Sequence, residues 1–285
     1  MTKLPESLAS RQFRSVLVGV SNKEVLVPRL RAFFSGVPAF PVVSIPIRRF
    51  ERREADGWFH PSEHPMWTAR QLYYYLVNST NFHSRELDVV GVLAVTQGVF
   101  WHYFIQAVME DLGLLRVIDS KGENSWDRVE CPVEDKRLRS RGSMDGIINS
   151  DNIPVLEHDE SFEFKSMSVN KMSGCPQGPP DAPARLAWWK EKNPGYYFQS
   201  QEYLRLSGLA ATRVLIMGIQ APFPMIELRV PYSYTEASKT ADKYALAVQG
   251  AADGVPPDPC CNIGSAQARD CFVRYYCPVG RGEIV

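Results

Sequence analysis

The run Ser161-Phe162-Glu163-Phe164-Lys165-Ser166-Met167 constrains this chain more than any other segment. Its apolar and charged side chains alternate, which fits a β-strand, where alternate residues share a face. Phe162 and Phe164 then point into a core, while Glu163 and Lys165 are held side by side on the other face. Taken alone, such a strand is most often a half-exposed edge with an ordinary charge pair. Three other segments change that reading.

The first is Ser143-Met144-Asp145-Gly146, at the start of a strand-like run that continues through Ile147-Ile148. The chain from there to Glu163 is long enough for a hairpin, and neighbouring strands lie about 5 Å apart, so Asp145 can reach the edge that holds Glu163. Alone, Asp-Gly is most often a turn. The second is Gly98-x-x-x-His102 in a dense apolar stretch that predicts a helix from about residue 86 to 112. Gly98 lies one turn before His102 and removes a side chain from the same face, which permits a close approach. A lone His on such a helix is more often a core residue bonded to a neighbour. The third is Gln199-x-x-x-Tyr203, two polar tips on one helix face. Two carboxylates and an imidazole can hold a hard divalent cation. A lysine beside them can orient a water or offset the charge that builds on a phosphate.

Around these segments the chain reads as follows. Ser62 is a candidate N-cap for a helix carrying Arg70 to Leu76. Strands are expected at residues 114–118, at 142–149 and within 155–167. Residues 168–194, rich in Pro, Gly and Ser and containing Trp188-Trp189, read as a long irregular loop. A helix over residues 196–209 is closed by Gly208, two strands follow at 213–219 and 226–230, and a further helix spans 234–250. Helix, three strands, helix, two strands, helix argues for one α/β domain around a mixed sheet. Residues 1–57 form an N-terminal segment without an assigned role, and residues 58–285 hold every motif.

In this order the four segments resemble the PD-(D/E)XK nucleases of the RecB type, which include the CRISPR-associated RecB-like exonucleases and many phage exonucleases. That family carries a Gly-x-x-x-His helix, a Gly-x-x-Asp strand, a Glu-x-Lys strand and a Gln-x-x-x-Tyr helix. These correspond to Gly98 with His102, Gly142 with Asp145, Glu163 with Lys165, and Gln199 with Tyr203. Phe59-His60-Pro61-Ser62 followed by Arg70-Gln71-Leu72-Tyr73 also looks like the segment before the His helix in phage members. The resemblance spans about residues 58 to 280.

The resemblance implies a restriction-endonuclease-like core, a mixed central sheet flanked by helices, with a C-terminal Cys-rich segment. It implies a Mg²⁺- or Mn²⁺-dependent DNA exonuclease of phage or mobile-element type, serving recombination or DNA end processing. His102, Asp145, Glu163 and the backbone carbonyl of Phe164 would hold the metal. Lys165 would orient the attacking water or stabilise the developing charge, and Gln199 and Tyr203 would contact the DNA backbone or Lys165. Arg70, Arg141 and Lys171 are the expected DNA contacts. An annealing or recombination protein and further copies of the chain are the protein partners it leaves open. The rival reading keeps the fold and the DNA grip without the chemistry, stabilised by an iron–sulfur or zinc site.

Charge limits how DNA could be held. Lys and Arg total 32 and Asp and Glu total 32, for a net charge of +0, so any polyanion contact must come from local clusters. Arg48-Arg49, Arg52-Arg53 and the run from Lys136 to Arg141 are such clusters, although each is more often a solvated surface. No apolar stretch is expected to reach the length of a membrane span, and the start lacks the layout of a secretory signal. The expected place is the cytoplasm, the host's if the chain is phage-encoded, where thiols stay reduced. No Gly-x-Ser-x-Gly elbow, phosphate-binding Gly-x-x-x-x-Gly-Lys loop or His-Glu-x-x-His helix occurs.

Four of the six cysteines crowd the C-terminus, at Cys260, Cys261, Cys271 and Cys277. Many RecB-type exonucleases carry a 4Fe–4S cluster, with one ligand upstream of the His helix and three near the C-terminus, and the C-terminal part of that pattern is present. The upstream part departs from it: where a cysteine is expected before Arg70 the chain reads Met66-Trp67-Thr68-Ala69. The vicinal pair, Cys131 or Cys175 could supply a fourth ligand. Four thiolates could also bind Zn²⁺, though no Cys-x-x-Cys occurs, and plain thiols are the third alternative.

Overall fold

The computed structural model describes residues 24–36, 56–78 and 89–283. Helices α1 (Val27–Gly36), α2 (Ala69–Val77) and α3 (Val89–Asp111) come first, followed by the short α4 (Ser125–Val129). A two-stranded hairpin, β1 (Cys131–Asp135) with β2 (Ser140–Met144), leads into a four-stranded sheet. That sheet has the order β3 (Gly146–Ile148), β4 (Glu160–Met167), β5 (Ala211–Gly218), β6 (Met225–Pro231). β4 pairs antiparallel with β3 and parallel with β5, and β5 pairs antiparallel with β6, so the sheet is mixed. Between β4 and β5 lie α5 (Val169–Met172), α6 (Pro183–Lys192) and α7 (Pro194–Ser207); after β6 come α8 (Tyr234–Asp253), α9 (Ala266–Arg269) and α10 (Pro278–Arg281). A mixed sheet flanked by helices is the architecture.

β5 is buried along its whole length, and the alternation of its apolar side chains explains the layering. Leu215 and Met217 join Phe162, Phe164, Ile105 and Met109 on one face. Val214 and Ile216 join Trp188, Trp189 and Leu228 on the other. A strand covered on both sides reads as a continuous apolar run, as Val214-Leu215-Ile216-Met217 does. A third cluster packs α2 and α8 against the C-terminal segment through Leu72, Tyr244, Val273 and Cys277.

Residues 24–36 belong to the first of these cores: Val25, Leu26 and Leu30 are buried in it. The anchor is Glu227 on β6. Its carboxylate accepts the backbone N–H groups of Val25 (2.9 Å), Leu26 (2.8 Å) and Val27 (3.2 Å) at the start of α1, and pairs with the Arg213 guanidinium at 2.6 Å. Orphan N–H groups at a helix start, with their positive field, are a natural seat for a carboxylate.

Several expectations change. The helix expected after Ser62 starts at Ala69 instead, because Thr68 and Gln71 form a capping box. Residues 142–149 form two strands interrupted at Asp145, and 114–118 contribute only a bridge from Leu115 to Ile148. The expected loop at 168–194 contains α6, whose Trp188 and Trp189 are buried against the sheet. α3 corrects the statement on membrane length: it has 23 residues, and an 18-residue stretch of it has a mean hydropathy of 1.3, enough by length and composition to cross a membrane. Its first turns expose Val89, Val90 and Leu93, while Ile105, Gln106, Val108 and Met109 near its end are buried. The Arg48-Arg49 and Arg52-Arg53 clusters, and the expected helix start at residues 86–88, lie outside the described residues.

Candidate active site

β4 alternates as its sequence requires. Phe162 and Phe164 enter the core, and Glu163 and Lys165 turn to the opposite face. The β3–β4 register pairs Gly146 with Phe162, which brings the preceding residue, Asp145, beside Glu163. Asp145 is fixed twice: its side chain accepts the Phe164 N–H at 2.7 Å, and its backbone carbonyl accepts Gln106 Nε2 at 2.8 Å. Gln106 stands one turn beyond His102 on α3, so the helix that carries the imidazole also grips the strand that carries the aspartate. His102 Nδ1 lies 3.6 Å from Asp145 Oδ2.

The two glycines of the motifs have steric reasons. A Cβ on Gly98 would stand 3.3 Å from Ser166 Oγ, so the missing side chain lets α3 lie close against β4. A Cβ on Gly142 would stand 3.0 Å from Tyr203 Cε1, so that glycine makes room for the Tyr203 ring. Gln199, one turn before Tyr203 on α7, donates Nε2 to Glu163 Oε1 at 2.9 Å. Lys165 Nζ lies 2.5 Å from the same oxygen and 4.7 Å from the centre of the Tyr196 ring. His102, Asp145, Glu163, Lys165 and Gln199 thus converge, while Tyr203 is buried against Gly142 at the rim.

Beside them is a cavity of about 370 Å³ lined by Gly98, His102, Glu130, Phe164, Lys165 and Tyr196. Glu130 was missed in the sequence because no motif surrounds it and it falls at the junction of α4 and β1. Its Oε1 lies 4.0 Å from His102 Nε2, so the imidazole stands between two carboxylates.

Burial dominates the electrostatics. It pushes Asp145 up to about 7 against the nearby Lys165 charge, and it pushes Glu163 up to about 7 with help from the Asp145 charge. It lowers His102, as does Lys165, which leaves a neutral imidazole at neutral pH. Burial alone would lower Lys165, but Glu163 and Asp145 outweigh it and keep the ammonium charged.

Among the described residues no three His, Cys, Asp or Glu side chains close on one point. The Lys165 ammonium sits on Glu163 where a cation's charge would otherwise fall. The donors are nonetheless those of a hard divalent ion, two carboxylates and a neutral imidazole. Two buried carboxylates held near neutrality also lack the positive charge that such an ion would bring. The chemistry of the set fits Mg²⁺ or Mn²⁺, with Lys165 giving way on Glu163.

The expected DNA contacts separate. Lys171 is exposed on α5, just past the end of β4. Arg141 is half-buried on β2, pairs with Asp56 at 2.6 Å and covers the Trp58 ring at 4.9 Å. Arg70 is withdrawn from solvent, 3% exposed, and donates Nη1 to the Pro257 carbonyl at 2.6 Å and Nε to Cys277 Sγ at 3.4 Å. Its place is therefore with the cysteines and not on a DNA-binding surface, because α2 packs its buried face on the C-terminal segment. Cys260, Cys261, Cys271 and Cys277 line one small cavity together with Arg70 and Gln71, whereas neither Cys131 nor Cys175 lines it. Burial raises the Cys277 thiol, yet the Arg70 guanidinium brings it below its ordinary value.

No protein-family profile and no curated protein matches the chain. Among solved structures, the crystal structure of SSO0001 aligns with a TM-score of 0.36 and 13% identity, over 79% of this chain and 88% of that one. A likeness that loose assigns neither fold family nor function.

Proposed function

We propose that this chain is a divalent-cation-dependent DNA exonuclease of the RecB-type PD-(D/E)XK class, built on a restriction-endonuclease-like core. The observation that supports the reading is the meeting of His102, Asp145, Glu163 and Lys165, from a helix, a strand break and one strand, beside a single open cavity. In this reading His102, Asp145, Glu163 and the Phe164 carbonyl hold Mg²⁺ or Mn²⁺. The chemistry such a cation would supply is a lowered pKa for a bound water and polarisation of the scissile phosphate. Lys165, freed from Glu163, directs its ammonium at the attacking water or at the phosphate oxygen that gains charge. Gln199 keeps the Glu163 carboxylate in place while Lys165 moves. Lys171 and Arg141 would meet the DNA backbone. The biological setting proposed is recombination or end processing in a phage or mobile element, with an annealing or recombination protein as partner. The four C-terminal cysteines would hold a thiolate-bound metal centre, a 4Fe–4S cluster or zinc.

End-labelled linear DNA, incubated with Mg²⁺, Mn²⁺ or EDTA beside a closed circle, tests the activity. Loss of the linear DNA alone, with metal alone, is the expected result. DNA that is bound but intact under every metal would replace the nuclease reading with a binding one.

Glu130 has a part in this reading. Metal-ligating histidines usually donate their second ring N–H to a carboxylate, and losing that partner typically costs about 10- to 100-fold in metal affinity. Glu130→Ala should weaken Mn²⁺ binding by about that factor, measured by calorimetry, while Glu130→Gln, which keeps an acceptor oxygen, should lose less. An unchanged affinity in the alanine variant would remove Glu130 from the site.

The buried carboxylates also set a pH dependence. Asp145 and Glu163 are raised to about 7 in the folded protein, against about 4 in an unfolded chain. A raised folded value means that their contribution is fully present below about pH 4 and is lost as pH rises through about 7. Metal-free protein should therefore melt lower at pH 8 than at pH 6. Asp145→Asn should shrink that difference and raise the pH 8 melting temperature by several degrees, on the order of a few kcal/mol. If the variant melts lower at pH 8, Asp145 is not the strained group described.

A further inference from the structure

Three side chains at the start of α2, the N-cap Thr68 and two of the first turn, each direct a polar hydrogen at a different cysteine. Thr68 Oγ1 lies 3.4 Å from Cys260 Sγ, Arg70 Nε lies 3.4 Å from Cys277 Sγ, and Gln71 Nε2 lies 3.5 Å from Cys271 Sγ. Gln71 Oε1 accepts the Thr68 backbone N–H at 2.9 Å, and the Thr68 hydroxyl lies between that oxygen, at 3.2 Å, and the sulfur. Arg70 is buried, and among the described residues its Nη2 has no hydrogen-bond partner. It lines the same cavity as the four sulfurs. A buried guanidinium with an unspent N–H, next to four thiols, is costly unless an acceptor or a negative charge lies before it.

We infer that Thr68, Arg70 and Gln71 form the hydrogen-bonding shell of a thiolate-bound metal centre at Cys260, Cys261, Cys271 and Cys277. This rests on the reading of those cysteines as a metal centre. Thr68 falls in the stretch where a ligand cysteine was expected. In this chain the position donates to the vicinal Cys260-Cys261 pair, and that pair supplies two of the four sulfurs. Arg70 balances the negative charge of four thiolates, and Gln71 and Thr68 hold two more sulfurs in orientation. Hydrogen bonds to ligand sulfurs and nearby charge are levers on both metal retention and reduction potential.

The test uses the full chain purified without oxygen. Iron, zinc and acid-labile sulfide are measured, and then the rate of metal loss to a chelator is followed. Iron with sulfide, or zinc alone, identifies the centre. Arg70→Met should speed metal loss by about 10- to 100-fold, as loss of an outer-shell partner does elsewhere. Because Arg70 also ties Pro257, a second variant guards against misfolding. Gln71→Glu keeps the oxygen that caps α2 but replaces the N–H facing Cys271 with a negative oxygen. It should also speed metal loss, with an unchanged far-ultraviolet spectrum, and in an iron–sulfur form it should move the midpoint potential to more negative values. Thr68→Ser, which keeps the hydroxyl, should behave as the parent. If the parent holds metal and both Arg70→Met and Gln71→Glu release it at the parental rate, the shell is refuted and the centre stands. If the parent holds neither iron, zinc nor sulfide, the metal-centre reading fails and takes the shell with it.

Discussion

Lys165→Ala should lower metal-dependent DNA cleavage by at least about 100- to 1,000-fold, the range seen when one preorganised donor to a developing charge is removed. DNA binding should stay nearly intact, because Lys165 is largely covered and its ammonium faces Glu163 and the Tyr196 ring. Glu163→Gln should lose as much for a different reason. It removes a negative ligand oxygen while preserving shape, and Gln199 still has an oxygen to bind. The two variants separate by metal affinity: Glu163→Gln should weaken Mn²⁺ binding. Lys165→Ala should leave it unchanged or tighter, since the ammonium no longer competes for Glu163. Rates come from single-turnover digestion of end-labelled DNA. Cleavage at the parental rate in Lys165→Ala would show that the strand carries an incidental charge pair.

Glu227→Ala should produce the largest loss of stability. The carboxylate is fully buried and answers the N–H groups of Val25, Leu26 and Val27 as well as the Arg213 guanidinium. Arg213 is itself shared with Glu160 at 2.5 Å, which in turn pairs with Arg229 at 2.6 Å. Deleting one member of a buried ion network leaves an uncompensated charge, typically costing about 3 to 5 kcal/mol. For a chain of this size that is a fall in melting temperature of about 10 °C. The loss should be local as well: residues 24–36 should exchange their amide hydrogens faster than the sheet does, because the carboxylate is what seats α1. A melting temperature within about 1 °C of the parent would mean the cluster is not the anchor of that segment.

Local chemistry that repeats along the sequence was legible in advance, and chemistry that depends on long-range contact was not. The alternation of Phe162 to Lys165 predicts β4 and the direction of every side chain on it, because strand geometry has a period of two. The helix over 194–207 and its stop at Gly208, with φ 74°, follow from a helical pattern closed by a left-handed residue. Glu130 could not be read, since its meeting with His102 joins residues 28 apart through α4 and carries no spacing rule. Arg70 was misread for a related reason. An arginine on a helix is usually a solvated charge, and only the fold of the C-terminal segment onto α2 makes it a buried partner of Cys277. Trp188 and Trp189 read as loop residues in the sequence because the Pro and Gly around them mask a ten-residue helix.

The most direct measurement is a crystal of this chain soaked in Mn²⁺ and recorded at an X-ray energy where manganese scatters anomalously. The account predicts a peak about 2.0 to 2.2 Å from oxygens of Asp145 and Glu163 and from a nitrogen of His102, the range for small hard divalent ions. Lys165 Nζ should have moved off Glu163. Linear DNA digested by the same preparation, with no manganese between these three residues, would contradict the account.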